Sequence, residues 1–141
     1  MDFSNSITIN APKETVFAHY ADVANWPVWD KEVKAVTLDG LHVGSTGSLQ
    51  PRSGPSAMIN ISELIPNTSF TVTSKLPLCK MQFGHELTSM GEATKATHSV
   101  GFSGPLAFLF RRLIGRAIAR TLPTTLQGLK EVSEQSPKTV S

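Results

Sequence analysis

Apolar and polar positions alternate with a period of two over most of the chain, then change to a helical period near its end. The alternation is clearest in CKMQFGHEL, where Cys79, Met81, Phe83, His85 and Leu87 oppose Lys80, Gln82 and Glu86. Thr94 to Phe102 repeats it, with Thr94, Ala96, His98, Val100 and Phe102 on one face. Ser69 to Pro77 sets Phe70, Val72, Ser74 and Leu76 against Thr71, Thr73 and Lys75, and Ile59 and Ile61 share a face in AMINISELIPN. Val33, Ala35, Val36 and Leu38 lead into an Asp39-Gly40 turn, while Phe3, Ile7 and Ile9 mark a first strand. Strands at this spacing, joined by short turns, predict an antiparallel meander with one buried face. Gly47, inside a strand pattern, marks a bulge or a place that needs room.

Two helical stretches frame these strands. Asn10-Ala11-Pro12 reads as a helix entry, with Asn10 as the cap-type residue, proline in the first turn and Glu14 near the positive helix end. Val16, Phe17, Tyr20 and Val23 give that helix an apolar face. Asp22 can cap a second short turn, which Trp26-Pro27 should stop, because a residue before proline avoids the helical region. Trp26 and Trp29 share a face; they close the end of a core, or one lines a cavity mouth with its indole N–H free for a ligand.

The second stretch, Pro105 to Val132, is about 28 residues and so roughly 40 Å long as a helix. Arg112, Arg116, Arg120 and Gln127 fall in one sector, and Phe110, Ile114, Ile118, Thr121, Thr125 and Val132 in the opposite one, with Leu113, Ala117 and Leu122 on its flanks. The inward face is bulky at the start and small at the end (Ala117, Thr121, Thr125, Gly128), so either sheet side chains reach up to it or a void remains. Pro123 should kink or split the helix.

A length of 141 residues fits one domain, expected over 1–132, followed by a flexible polar tail over 133–141. A net charge of +2, with arginines gathered near the C-terminus, lacks the dense basic and aromatic face of a nucleic-acid binder. The single cysteine, Cys79, excludes an intrachain disulfide and reads as a buried structural thiol. The N-terminus has no signal-peptide pattern, and PLAFLF is too short to span a bilayer, so a cytoplasmic protein is expected. Gly44 and Gly47 are not followed by a Gly-Lys-Ser/Thr sequence and give no phosphate loop.

INAPKETVFAHYADVANWPVWDKEV, ISELIPNTSF and ATHSVGFSGPLAFLFRRLIGRAIARTLPTTLQGLKEV, in that order and spacing from about Ile7 to Val132, resemble the START-like (SRPBCC) superfamily, in its polyketide cyclase/dehydratase-like branch. The resemblance implies an α+β helix-grip fold, a seven-stranded antiparallel sheet wrapped around the C-terminal helix with two short helices after the first strand. It also implies a cavity for a hydrophobic or amphipathic ligand, such as a lipid, quinone or polyketide-like molecule. It carries over no catalytic residue, because no fixed motif unites the superfamily. The lining positions it implies are Trp26 and Trp29; Leu49, Ile59, Ile61 and Phe70; Met81, Phe83 and His85; and His98, Val100 and Phe102. From the helix it adds Phe110, Ile114, Ala117, Ile118 and Thr121.

Two histidines, His85 and His98, enter the inward faces of their strands. Buried imidazoles tend to be neutral, so each could bind a ligand carbonyl or hydroxyl, act as a general acid/base, or simply be satisfied by a partner such as Tyr20. No third ligand stands at metal-binding spacing, so neither metal nor cofactor is expected. His42, beside a turn, should face water. The arginine row Arg112, Arg116, Arg120 is a solvated outer face or a surface for weak contact with an anionic membrane. Three functions stay open: a carrier or sensor of a small hydrophobic molecule, a cyclase/dehydratase-type enzyme using a cavity histidine, and a protein-interaction module with a filled core.

Overall fold

The protein is described by a computed structural model covering residues 2–135. Seven strands form one sheet: β1 (Phe3–Ile9), β2 (Val33–Leu38), β3 (Thr46–Pro51), β4 (Ala57–Ile65), β5 (Ser69–Leu76), β6 (Cys79–Met90) and β7 (Ala93–Ser103). Their order is β1-β7-β6-β5-β4-β3-β2, and every neighbouring pair is antiparallel. This is the expected meander, with the first strand returned to pair with the last. Between β1 and β2 lie α1 (Lys13–Ala21), a 3₁₀ turn (Val23–Asn25) and α2 (Trp26–Trp29). After β7 the chain is helical from α3 (Ala107–Phe110), through a π turn (Arg111–Gly115), into α4 (Arg116–Gln135). The helix-grip architecture is therefore present.

The β6–β7 register pairs Met81 with Phe102, Phe83 with Val100, His85 with His98 and Leu87 with Ala96. Both alternating runs thus point to the same side, toward the helix. Gly47 sits where a β-carbon would lie 1.8 Å from the Thr37 carbonyl oxygen, so it gives room to the neighbouring strand; the bulge falls across from β3, between Val33 and Ala35 of β2.

Local chemistry differs from the expectations at four places. Pro12, not Asn10, caps α1, its carbonyl accepting from the N–H groups of Thr15 and Val16; the Asn10 N–H instead donates to Glu134 at 2.8 Å. Trp26 has helical angles (φ −51°, ψ −43°) and opens α2 instead of ending a turn. Pro27 falls in the first turn of α2, where its missing N–H is not needed. Pro123 does not split α4, which is continuous through it. The helix also outlasts the expected boundary at Val132, since it reaches Gln135 and buries Ser133; the rest of the expected tail lies outside the described residues.

The helix approaches its neighbours closely at two glycines. A β-carbon on Gly128 would lie 1.9 Å from the Trp29 carbonyl oxygen, and one on Gly115 would lie 2.8 Å from the Phe3 ring and 3.2 Å from that of Phe102. The small residues at the C-terminal end therefore do not all leave a void, because backbone from α2 fills the place beside Gly128. The buried sector of the helix is centred on Gly115, Leu122, Leu126 and Leu129. Thr121 and Thr125 move to its margin, and Leu113 and Ala117, expected on the flanks, are exposed.

The two glycines should respond differently to alanine. At Gly128 the obstacle is backbone, and Gly128→Ala should cost about 2–4 kcal/mol despite alanine's better helix propensity. At Gly115 the obstacles are aromatic side chains that can shift, so Gly115→Ala should stay within about 1 kcal/mol of wild type. Urea midpoints of the two variants check this, and equal losses would show that the approach at Gly128 is not the tighter one.

Candidate functional site

Two apolar clusters lie between sheet and helices. The larger joins Ile9, Val16, Phe17, Tyr20, Trp26, Trp29, Ile59, Ile61, Phe70, Leu87, Ala96, Leu126 and Leu129. The smaller joins Cys79, Met81, Val100, Phe102 and Ala107, with Phe110, Ile114 and Ile118 packed on it. Phe83 touches both. On β7 the order Ala96–His98–Val100 runs from one cluster to the other, and on β6 the order Leu87–His85–Phe83–Met81 does the same. The two histidines therefore occupy the seam between the clusters.

A transverse row crosses the sheet at this level. Register places Asn5, His98, His85 and Phe70 side by side on β1, β7, β6 and β5, and Asn5 at the edge is exposed. The His85 ring stacks on Phe70, with centroids 3.9 Å apart and an interplanar angle of 3°, and meets the edge of His98 at 4.8 Å. His85 Nδ1 lies 3.2 Å from the Phe70 carbonyl oxygen. A carbonyl only accepts, so Nδ1 carries the proton and Nε2 of the neutral ring is an acceptor. From α1, the Tyr20 hydroxyl lies 2.7 Å from His98 Nε2 in a buried hydrogen bond.

Desolvation controls the charge of this group. Burial lowers the His85 pKa to about 4, against the pull of the Phe70 and Phe83 carbonyls. His85 keeps partial exposure as a residue, yet the protein atoms crowded around the ring are enough to disfavour its cation. Burial also holds His98 well below its ordinary value, and His85 adds to the effect. Tyr20 is pushed far up by burial, and further by the nearby Asp30 carboxylate. At neutral pH the cluster is thus two neutral imidazoles and a phenol.

A second polar contact joins α2 to α4. Asp30 Oδ1 accepts from the Thr125 hydroxyl and from the Glu32 N–H, each at 3.0 Å. Burial raises the Asp30 pKa, and these two donors oppose the rise. Trp26 Nε1 donates to the Tyr20 carbonyl at 2.9 Å. Trp29 Nε1 is buried and has no hydrogen-bond partner among the described residues. Of the two tryptophans, Trp29 is the one with an unpaired indole N–H.

The predicted lining positions separate by exposure. Trp26, Trp29, Ile59, Ile61, Phe70, Met81, His98, Val100 and Phe102 are buried. Leu49, Phe83, His85, Phe110, Ile114, Ile118 and Thr121 keep partial exposure. Ala117 is exposed and leaves the set, because the inward sector of the helix turns toward Leu122 and Leu126. Phe110, Ile114, Ile118, Thr121 and Thr125 form one partly exposed margin along the helix, and Phe83 and His85 on β6 are partly exposed as well. Asp30, Thr125 as its partner, and Asn5 were not among the expected site residues. Asp30 lies beside the double-tryptophan turn, but nothing in its sequence surroundings signals a contact 95 positions away. His42 is exposed, as expected. Among the described residues no group of three potential metal ligands comes together, and no helix is long and apolar enough to cross a membrane.

Comparison with known proteins matches residues 1–134 to the family described as polyketide cyclase / dehydrase and lipid transport. The fold is similar to that of a hypothetical protein from Helicobacter pylori, with a TM-score of 0.74 at 13% identity, covering 93% of this chain and 86% of that one. It is also similar to the Zhui aromatase/cyclase from Streptomyces sp. R1128, with a TM-score of 0.72 at 14% identity and coverage of 94% and 92%. A protein from Thermus thermophilus gives 0.71 at 16% identity, with coverage of 95% and 99%. No curated protein matches the chain.

The histidine cluster has a pH signature. The native ring of His85 takes its proton only near pH 4, whereas the unfolded one takes it near 6.5. Between these values the unfolded chain binds more protons, so stability falls as the pH is lowered, by up to about 3 kcal/mol from this group. His98 acts in the same direction. Urea midpoints between pH 7 and pH 4 should drop in wild type and drop less in His85→Gln; identical slopes would show that the ring is not desolvated.

Proposed function

The chain belongs to the polyketide cyclase / dehydrase and lipid transport family, and we propose that it binds a small hydrophobic or amphipathic molecule between its sheet and closing helix, as a carrier or sensor. Family membership supports a ligand-binding or cyclase-type role. The observation that carries the finer reading is the partial exposure of Phe83 and His85 on β6. β6 lies inside the sheet, and the inward neighbours Met81 and Leu87 are buried. On this reading the accessible surface of Phe83 and His85 opens toward the partly exposed helix margin Phe110–Ile114–Ile118–Thr121. The side chains around this seam are mostly apolar, while His85 Nε2 offers an acceptor and the buried Trp29 N–H is left without a partner. Such a set suits a lipid, quinone or polyketide-like molecule with a hydroxyl or carbonyl group.

Catalysis is the second reading, favoured by the buried Tyr20–His98 hydrogen bond and by the likeness to an aromatase/cyclase. A histidine with a pKa near 4 is a weak base at neutral pH, and a phenol shifted far upward is a weak acid. The same neutrality suits recognition, where a fixed polarity matters more than proton exchange.

Native mass spectrometry of freshly purified protein, with tryptophan-fluorescence titration against long-chain fatty acids, ubiquinone analogues and aromatic polyketides, tests the proposal. A co-purified small molecule or saturable quenching is expected, with His85→Ala weakening binding about tenfold, the equivalent of one hydrogen bond. No adduct and no saturation across the panel would favour an interaction module with a filled interior. Turnover of a polyketide substrate that is lost in both His85→Gln and His98→Gln would move the assignment to the enzyme.

A further inference from the structure

The start of the closing helix carries large apolar side chains on its solvent side. Phe108 is 60% exposed and Leu113 66%, with Leu109 beside them at 38%. Leu78, at the tip of the β5–β6 connection, is 67% exposed; its carbonyl accepts from the Leu106 N–H, which holds it against the beginning of this helical segment. Single exposed leucines are ordinary, but several together at one end of a molecule are a feature of contact surfaces.

Arginines interleave with these side chains. Arg112, Arg116 and Arg120 are exposed at spacings of four, so each lies within one turn of an apolar neighbour or of the next arginine. Arg111 is paired with Asp2 at 3.0 Å, but among the described residues none of these three forms an ion pair. No acid occurs between Gly104 and Lys130. Lys75 and Lys80 line a shallow cleft with Leu78, Gly104 and Pro105, which extends the positive rim past the hairpin tip.

We propose that this face, Phe108, Leu109 and Leu113 with Arg112, Arg116 and Arg120, docks the protein on an anionic lipid surface. The face is the solvent side of a helix and carries basic and apolar side chains without an acid, which fits a fluid anionic surface. Apolar groups at the same level as guanidinium groups match a membrane interface, where acyl chains lie just beneath phosphates. A second copy of the chain does not suit it, because a two-fold contact would set one unpaired arginine row against another. The proposal goes beyond ligand binding and does not depend on it.

Sedimentation with vesicles tests it, using phosphatidylcholine alone and phosphatidylcholine with about one-third phosphatidylglycerol, at about 0.1 M salt. Bound protein should be at least about fivefold higher on the anionic vesicles. The triple variant Arg112→Gln, Arg116→Gln, Arg120→Gln should lose that preference, and Phe108→Ser with Leu113→Ser should lower binding to the anionic vesicles several-fold. If the serine variant does not fold, Leu78→Ser gives the same reading from the hairpin. Equal recovery on both vesicles, or variants that bind like wild type, would overturn the proposal. Binding to soluble polyglutamate without vesicle binding would overturn it in favour of an acidic protein partner. None of these results bears on the small-molecule titrations, so the two readings fail separately.

Discussion

The carbonyl oxygen of Trp29 lies 1.9 Å from where a β-carbon on residue 128 would sit, and this contact sets how the closing helix can lie. Glycine lets the helix come down onto the backbone of α2, and the Thr125–Asp30 hydrogen bond holds the same two elements one turn earlier. With the helix seated there, Leu126 and Leu129 complete the larger apolar cluster. At its other end Gly115 rests against the rings of Phe3 and Phe102. Seated on α2 at one end and on Phe3 and Phe102 at the other, the helix runs along β1 and β7. Phe110, Ile114, Ile118, Thr121 and Thr125 lie along its partly exposed margin.

The chemistry of the histidine seam follows from the same geometry. Removal from water favours neutral forms, so two imidazoles and a phenol sit among aromatic rings without carrying charge. Each has a directional use: His85 donates from Nδ1 to a strand carbonyl, and Tyr20 and His98 share one short hydrogen bond. A polar seam of this kind gives an apolar interior a few fixed hydrogen-bonding directions.

The features legible in the sequence were those that repeat. Alternation in Cys79–Leu87 and Thr94–Phe102 gave both inward faces, and register turned them into cross-strand pairs. Tyr20 as the partner of a histidine was readable because it is the sole tyrosine. What was hidden depends on contacts distant in sequence. The phase of the C-terminal helix could not be set by the arginine row alone, because the buried sector follows Leu122, Leu126 and Leu129 and turns Ala117 outward. Trp26 keeps helical angles because Pro27 lies in a first turn, where the local rule against helix before proline yields. Asp30 was invisible as a site residue, since its meaning comes from Thr125 on the far side of the chain.

The bulge in β2 has a consequence at the scale of many molecules. An open seven-stranded sheet has two free borders, and an unpaired border can recruit a strand from another chain. Between Val33 and Ala35 the regular ladder is interrupted, and Lys34 is exposed at that point. On the opposite border, Lys130 reaches the Thr8 carbonyl and Glu134 takes the Asn10 N–H, so groups that could greet a newcomer are already engaged. The sheet can thus keep two borders without inviting its own polymerisation.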